Sequence, residues 1–360
     1  ARFSARVVVS GMGGLANPLI PGLKGAEDFQ GAAFHSAQWD HGYDLTGKTV
    51  AVIGTGASAI QFVPQIAGKV GKLHLFQRTP PWIAPKLDRP MKPWEKKLFA
   101  LLPFTQTWFR GSIYCRNEMS AMGFAHPERM AKMQEMLMGY LRHAVRDPAL
   151  REKLTPNYTL GCKRILISND YYPTLQRPNV ELVTDAIDHL TRDGVVTTDG
   201  TERKVDAIIY GTGFAAMEPM AGIEVTGVGG RSLNDDWAHG PHAYLGLNVA
   251  GYPNLFLLMG PNTGLGHNSM VYMIESQIHY VMDALRLLDR KRAPLMDVRA
   301  EAQAAFNTQL QQQVATSVWN TGGCKSWYLN GEGRNTALWP GYTFVYRRRT
   351  RKVDPAAYVV

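Results

Sequence analysis

Val50-Ala51-Val52-Ile53-Gly54-Thr55-Gly56-Ala57-Ser58-Ala59 is the stretch that decides the fold. Its apolar half reads as a buried strand, beginning near Lys48 and ending at Ile53. Its second half fits G-x-G-x-x-G/A in the required place, after a strand and at the opening of a helix expected over about Ser58 to Ala67. Gly54 permits the tight turn, and Thr55 lies within it. Gly56 lets the backbone approach a pyrophosphate, and Ala59 lets the helix pack closely on the sheet. The helix N-terminus adds unpaired N–H groups and a positive dipole end, beside the Ser58 hydroxyl. A glycine turn is often only a turn; the strand before it and the helix after it make this one a dinucleotide site.

Working outward, Pro64 predicts a kink or early end to that helix, and Leu73 to Phe76 is the next strand. Strand, turn, helix and strand form one βαβ unit, which requires a parallel sheet with helices packed on it. The fold class is therefore α/β, Rossmann-like. An NAD site usually carries Asp or Glu at the end of the second strand to bind the ribose 2′-hydroxyl. Here the sequence reads Phe76-Gln77-Arg78-Thr79-Pro80-Pro81. A guanidinium at Arg78 and a hydroxyl at Thr79 suit a 2′-phosphate, so NADPH is expected; the plainer reading of Arg78 is a surface arginine.

Strands are also expected at Val7–Val9, Val180–Val183, Val195–Thr198 (opening a hairpin through Asp199-Gly200), Val205 onward and Asn254–Met259. From Pro90 to about Pro156 strand signals vanish. Met130, Met133, Met136, Leu137, Tyr140, Leu141 and Ala144 fall at helical spacing, so a helical insertion burying that stripe is expected. A long helix follows over about Met270 to Leu288.

With 45% hydrophobic and 19% charged residues over 360 positions, the composition is that of a globular protein with two domains, or three small ones. No apolar run reaches the length of a membrane span, so no stable membrane insertion is expected. Cys115, Cys162 and Cys324, an odd set without a CxxC pair, argue against a zinc site and a disulfide framework, and for a reduced, cytoplasmic setting. The net charge of +9 could attract an anionic cofactor. Its densest run, Arg347 to Lys352, has no nucleic-acid motif with it and reads as a solvated terminal segment.

Upstream of the glycine turn, Phe29, Gly31, His35, Trp39 and Asp40 form F-x-G-x(3)-H-x(3)-W-D. A lone histidine among apolar residues is more often structural than catalytic, but the whole spacing is specific. It resembles the fingerprint of the type I Baeyer–Villiger monooxygenases of the flavin-containing monooxygenase superfamily, and the likeness extends over nearly the whole chain. GTGASAIQ and FQRTPPW look like that family's NADPH domain, and Gly161–Pro173 looks like the segment bearing its active-site arginine. The resemblance implies that Arg164 is that arginine, that Lys163 helps hold the 2′-phosphate, and that the Met270 backbone lies near the flavin. It implies that His35 couples domain movement to cofactor binding. It also implies two dinucleotide-binding domains, cofactors FAD and NADPH, and insertion of one oxygen of O2 beside a ketone carbonyl through a flavin C4a-peroxide, giving an ester or lactone.

In that chemistry a fixed cation stabilises the peroxyanion and then the oxygen of the attacked carbonyl, a role suited to Arg164; alternatively Arg164 anchors only the NADP phosphate. The family's first G-x-G-x-x-G, for FAD, has no counterpart in this sequence, so the chain is expected to be a fragment, short by on the order of 100 residues. The expected domains are 1–44, remnant of the FAD domain and linker; 45–87 with 157–204, the NADPH domain; 88–156, the insertion; and 205–360, the rest of the FAD domain. The expected substrate is an apolar ketone, in a pocket formed by the insertion, Trp82 and loops near Trp319 to Trp327. Oxidation of nitrogen or sulfur, or a non-catalytic NADP(H)-binding module, are the alternatives. Oligomeric state is unreadable.

Overall fold

A computed structural model describes residues 2–216 and 222–360. The chain divides into two compact units, one made of residues 17–88 and 132–215, the other of 1–16, 89–131 and 216–360. The first strand, β1 (Val8–Ser10), belongs to the second unit. The first unit contains β2 (Ala32–His35), β3 (Thr49–Ile53), β4 (Lys72–Phe76), β5 (Ile83–Ala84), β6 (Leu166–Ile167), β7 (Val180–Val183), β8 (Ile187–Leu190), β9 (Gly194–Thr197), β10 (Glu202–Lys204) and β11 (Ala207–Tyr210).

Five of these form one all-parallel sheet in the order β2-β11-β3-β4-β7. Val50, Ala51 and Val52 of β3 are fully buried, as a central strand covered on both faces requires. The helix α1 (Ala59–Ile66) joins β3 to β4 and buries Ala59, Ile60, Val63 and Ile66. Pro64 lies inside it, and the helix continues past it to Ile66, with Ala67 as C-cap, so the expected early end is not seen. The antiparallel β8-β9-β10 sheet contains the expected hairpin at Asp199-Gly200. Both β2 and β11 pair into the parallel sheet. This is why the unit takes residues 17–44 and 205–215, beyond the boundaries at 44 and 204 expected from the sequence.

The helical segment is shared out. The helices α2 (Pro93–Leu101) and α3 (Pro103–Ala125) belong to the second unit, whereas α4 (Met130–Ala144) lies almost wholly in the first. The expected α4 stripe is only partly apolar core: Met130, Leu137 and Leu141 are buried, but Met136 is 73% exposed and Met133 is exposed too. Met136 lies next to Leu137, outside the buried arc, so a seven-residue stripe was too wide.

In the second unit β1 pairs in parallel with β12 (Leu255–Leu257). The helix Met270–Lys291 packs Tyr280, Val281, Ala284, Leu287 and Leu288 against Leu245, Leu247 and Phe256. Val8 and Val9 of β1 are exposed, unlike the core strand expected from their sequence. The basic run is likewise more than solvated tail. Arg347 lies 4.6 Å over the Tyr272 ring and Arg349 5.7 Å over Trp339, both in the last turn of the helix Thr343–Arg349, where cations oppose the dipole. Cys115 is a free, exposed thiol.

The turn after β3 is a tight point of the parallel sheet. Gly54 has φ +106°, and a Cβ there would meet the Gly211 carbonyl oxygen at 2.5 Å. Gly54→Ala combines left-handed strain with a backbone clash. It should destabilise the fold by roughly 1–3 kcal/mol in equilibrium urea unfolding. An unchanged midpoint would show that the turn relaxes freely.

Candidate functional site

The carboxyl edge of the parallel sheet gathers most of the singled-out residues, because parallel strands all end on the same side. β2 ends at His35, β3 at the glycine turn, and β4 just before Gln77-Arg78-Thr79. Backbone hydrogen bonds tie these ends together: Gly54 N–H donates to Phe76 O at 3.0 Å and Gly211 N–H to Ile53 O at 2.8 Å.

The turn is shaped for a backbone-bound anion. Gly56 is exposed, and a Cβ there would meet nothing nearer than the Gly211 oxygen at 4.0 Å, so the space beside it is open. Ser58 caps α1 by position but makes no side-chain capping bond; the Ile60 and Gln61 N–H groups donate to the Gly56 and Ser58 carbonyls, and the exposed Ser58 hydroxyl lies beside the helix start. Ala59 is fully buried, and a Cβ on Gly211 would meet its methyl at 3.4 Å, the close helix–sheet packing a larger residue would spoil. The Thr55 hydroxyl makes a long 3.4 Å hydrogen bond to Thr79 O, which holds the turn against the segment after β4.

Beyond β4 the electrostatics are one-sided. Arg78 is exposed, and no carboxylate pairs with it among the described residues. Lys163 is half-buried over the Tyr158 ring at 5.2 Å. Its pKa is lowered first by burial and then by the Arg78 charge, so the two cations lie within electrostatic reach of each other. Two cations so placed, unneutralised, fit a dianionic phosphate. Next to them, Gln77 donates to Lys153 O at 2.7 Å while its buried Oε1 lacks a partner. Gln77 was not singled out from the sequence.

Arg164 is exposed one residue beyond Lys163, in the turn before β6, also without a carboxylate partner among the described residues. The turn is held by Gly161 at φ +93° and by β5 pairing with β6. Trp82, expected in a substrate pocket, is instead a core residue: it is buried, and its indole N–H donates to Tyr158 O at 3.0 Å. It thereby supports the platform under Lys163.

The fingerprint residues have packing roles that explain their types. A Cβ on Gly31 would meet both the Asp206 oxygen and the Phe29 ring at 2.5 Å. Trp39 packs edge-on against Phe34 and Phe62, each at 5.4 Å, and Asp40 accepts from Gly42 N–H at 2.9 Å. His35 is buried at the end of β2 with its ring 5.6 Å from Phe214. Its Nδ1 accepts from Ala37 N–H at 3.1 Å, and its buried Nε2 has no well-aligned partner. Burial lowers its pKa, offset in part by the Gly213 carbonyl.

In the second unit, Met270 opens a 22-residue helix whose N-cap Ser269 makes no side-chain capping bond and donates its own N–H to Asn268 Oδ1 at 2.8 Å. Before it, Met259 and Asn262 adopt positive φ, and Asn262 donates to the carbonyls of Asn335 and Leu338. Sequence reading missed Glu118 of α3, a buried carboxylate that accepts from Asn268 at 2.6 Å and from Thr343 N–H at 3.1 Å. Its partners lie 150 and 225 residues away, so no local pattern could announce it. An open cavity of about 750 Å³ lies elsewhere in the same unit, lined in part by Arg231, His242, Gln303, Asn307 and Arg334, and contains none of the singled-out residues. Trp319 is buried and stacked on Phe124, whereas Trp327 is half exposed.

The pKa shifts set a pH dependence. His35 and His74 are both depressed from 6.5, chiefly by burial, so each is held neutral and the unfolded chain binds protons first on acidification. Their contribution to stability is complete above about 6.5 and is lost as pH falls toward the folded-state values. The thermal midpoint should therefore drop below about pH 6.5, and His35→Gln should flatten part of that slope. An unaltered slope in the variant would mean that His35 titrates normally.

The profile of flavin-binding monooxygenase-like proteins matches residues 1–225. A Baeyer-Villiger monooxygenase of Pseudomonas aeruginosa is 53% identical over 358 residues, spanning 99% of this chain and 68% of that protein. One from Streptomyces coelicolor is 46% identical over 360 residues, 99% of this chain and 69% of that one. Among solved structures, an oxidized steroid monooxygenase bound to NADP superposes with TM-score 0.85 at 30% identity, covering 98% of this chain and 75% of that one. The OTEMO complex with FAD and NADP gives 0.86 at 26% identity, with the same coverage.

Proposed function

Because the chain belongs to the flavin-binding monooxygenase-like family and, within it, to the Baeyer–Villiger monooxygenases, we propose that it takes part in NADPH- and FAD-dependent conversion of an apolar ketone to an ester or lactone. The balanced reaction consumes the ketone, O2, NADPH and a proton, and yields the ester, NADP+ and water. The observation that carries the NADPH half is the pair Arg78 and Lys163, two close, unneutralised cations at the edge that holds the glycine turn.

Bound FAD and NADPH supply the reducing electrons and the activation of O2. The chain's own residues do the rest. The amides of Gly54 to Ala59, with the Ser58 hydroxyl, cradle the pyrophosphate of NADPH, and Arg78, Thr79 and Lys163 grip its 2′-phosphate. The Met270 backbone would help to hold the flavin. Arg164 supplies a permanent cation that stabilises the negative charge developing on the attacked carbonyl oxygen. His35 is a positioning residue: buried, neutral and at a strand end, it fixes the linker segment around Ser36 to Asp40 rather than moving a proton. The proposal includes a cytoplasmic setting, where reduced dinucleotide is regenerated.

A second reading, oxidation of nitrogen, is favoured by one relative, a phenazine N-monooxygenase of Lysobacter antibioticus at 29% identity. That chemistry has less need of Arg164. Arg164→Ala in flavin-loaded protein should abolish ester formation while NADPH still reduces the flavin; full retention of ester formation would overturn the assignment. Arg78→Ala should raise KM for NADPH at least about tenfold, the effect of losing one charge-assisted phosphate contact, and leave KM for NADH nearly unchanged. Equal changes for the two nucleotides would remove the 2′-phosphate role.

A further inference from the structure

Between Met91 and Met122 the second unit carries large apolar side chains that cover nothing. Leu101 and Trp108 are 78% and 79% exposed, and Trp94, Leu102 and Phe104 are exposed beside them at the turn between α2 and α3. Along α3 the exposed face continues as Phe104, Trp108, Gly111, Cys115, Met119 and Met122. Their spacing of four, three, four, four and three residues places them on one side of the helix, a stripe about 27 Å long. The C-terminal half of the helix is seated through the buried Glu118, Ala121, Gly123 and Phe124, whereas its N-terminal half, Phe104 to Ser112, is exposed on nearly every side.

The charges around this face have one sign. Lys92, Lys96, Lys97, Arg110 and Arg116 are exposed and unpaired with any carboxylate among the described residues. The two acids in the same segment are withdrawn: Glu95 is buried in a bidentate pair with Arg89, and Glu118 is buried beneath Thr343. Tryptophan, phenylalanine and leucine at a helical tip ringed by lysine and arginine match the headgroup–acyl boundary of an anionic bilayer in both polarity and charge. A second copy of the chain would bring five cations against the same five in a two-fold contact, which opposes self-association. No described helix is long and apolar enough to cross a membrane, so the contact is with its surface.

We propose that the α2–α3 hairpin docks on anionic lipid surfaces, with Leu101, Leu102, Phe104 and Trp108 entering the interface and Lys92, Lys96, Lys97 and Arg110 meeting the headgroups. The docking is independent of the catalytic assignment above, and an apolar ketone dissolved in the bilayer would share that surface.

The test uses the full chain and sedimentation with vesicles of phosphatidylcholine alone or with about 30 mol % phosphatidylglycerol, at low and high salt. Expected are binding to the anionic vesicles that weakens with salt, and little binding to phosphatidylcholine. Lys96→Gln with Lys97→Gln should weaken it about thirtyfold, the effect of two cations near a charged surface. Phe104→Ser with Trp108→Ser should abolish quenching of tryptophan fluorescence by brominated acyl chains. Absence of binding to anionic vesicles, or binding unchanged by the lysine pair, overturns the proposal. So does a dimer in sedimentation velocity that the serine pair dissolves while vesicles bind neither protein. Circular dichroism and thermal midpoints identify a misfolded variant; if the serine pair misfolds, the exposed lysine pair decides the outcome.

Discussion

Everything at the nucleotide edge depends on one close approach, that of the Gly54 backbone to the carbonyl of Gly211. Only a glycine at φ +106° lets β3 end, turn and start α1 within the space left by β11. The bonds from Gly54 to Phe76 and from Gly211 to Ile53 then align three strand ends. With those ends aligned, the residues that follow each strand must share one edge. Gly56, Ser58, Arg78 and His35 share that edge for this topological reason, although 43 positions separate the outermost pair, His35 and Arg78.

The charge on this edge follows from what is missing around it. Arg78 and Lys163 raise each other's energy, and burial makes the ammonium costlier still. A protein gains nothing in stability from holding two cations in that way. The strain is relieved when a dianion binds, so the cost in the free protein becomes affinity for a phosphate. His74, Glu181 and Arg203 give the contrast within the same unit. Glu181 accepts from both neighbours at 2.8 Å, the charges are matched, and nothing is left for a ligand.

The fingerprint around His35 acquires a physical content that its family membership alone does not give. Gly31 is required because the Phe29 ring and the Asp206 carbonyl occupy the place of a side chain. Trp39 is required to fill the space between Phe34 and Phe62. The segment is thus the packed continuation of an edge strand of the parallel sheet. That location suits a linker whose shape must be kept while cofactors come and go.

The βαβ core, its strands and turns to within a residue or two, and the residue types at the carboxyl edge of its sheet are written in the local sequence. These rest on local periods and on glycine, whose conformational freedom is a property of single positions. Only the tertiary structure decided which side chains stay available. Trp82 is spent on Tyr158, Met136 faces solvent, and the helical segment divides between two units. Glu118 is buried against residues 150 and 225 positions away. Each of these depends on contacts between segments far apart in the chain, and a local pattern contains no information about which distant surface will cover it.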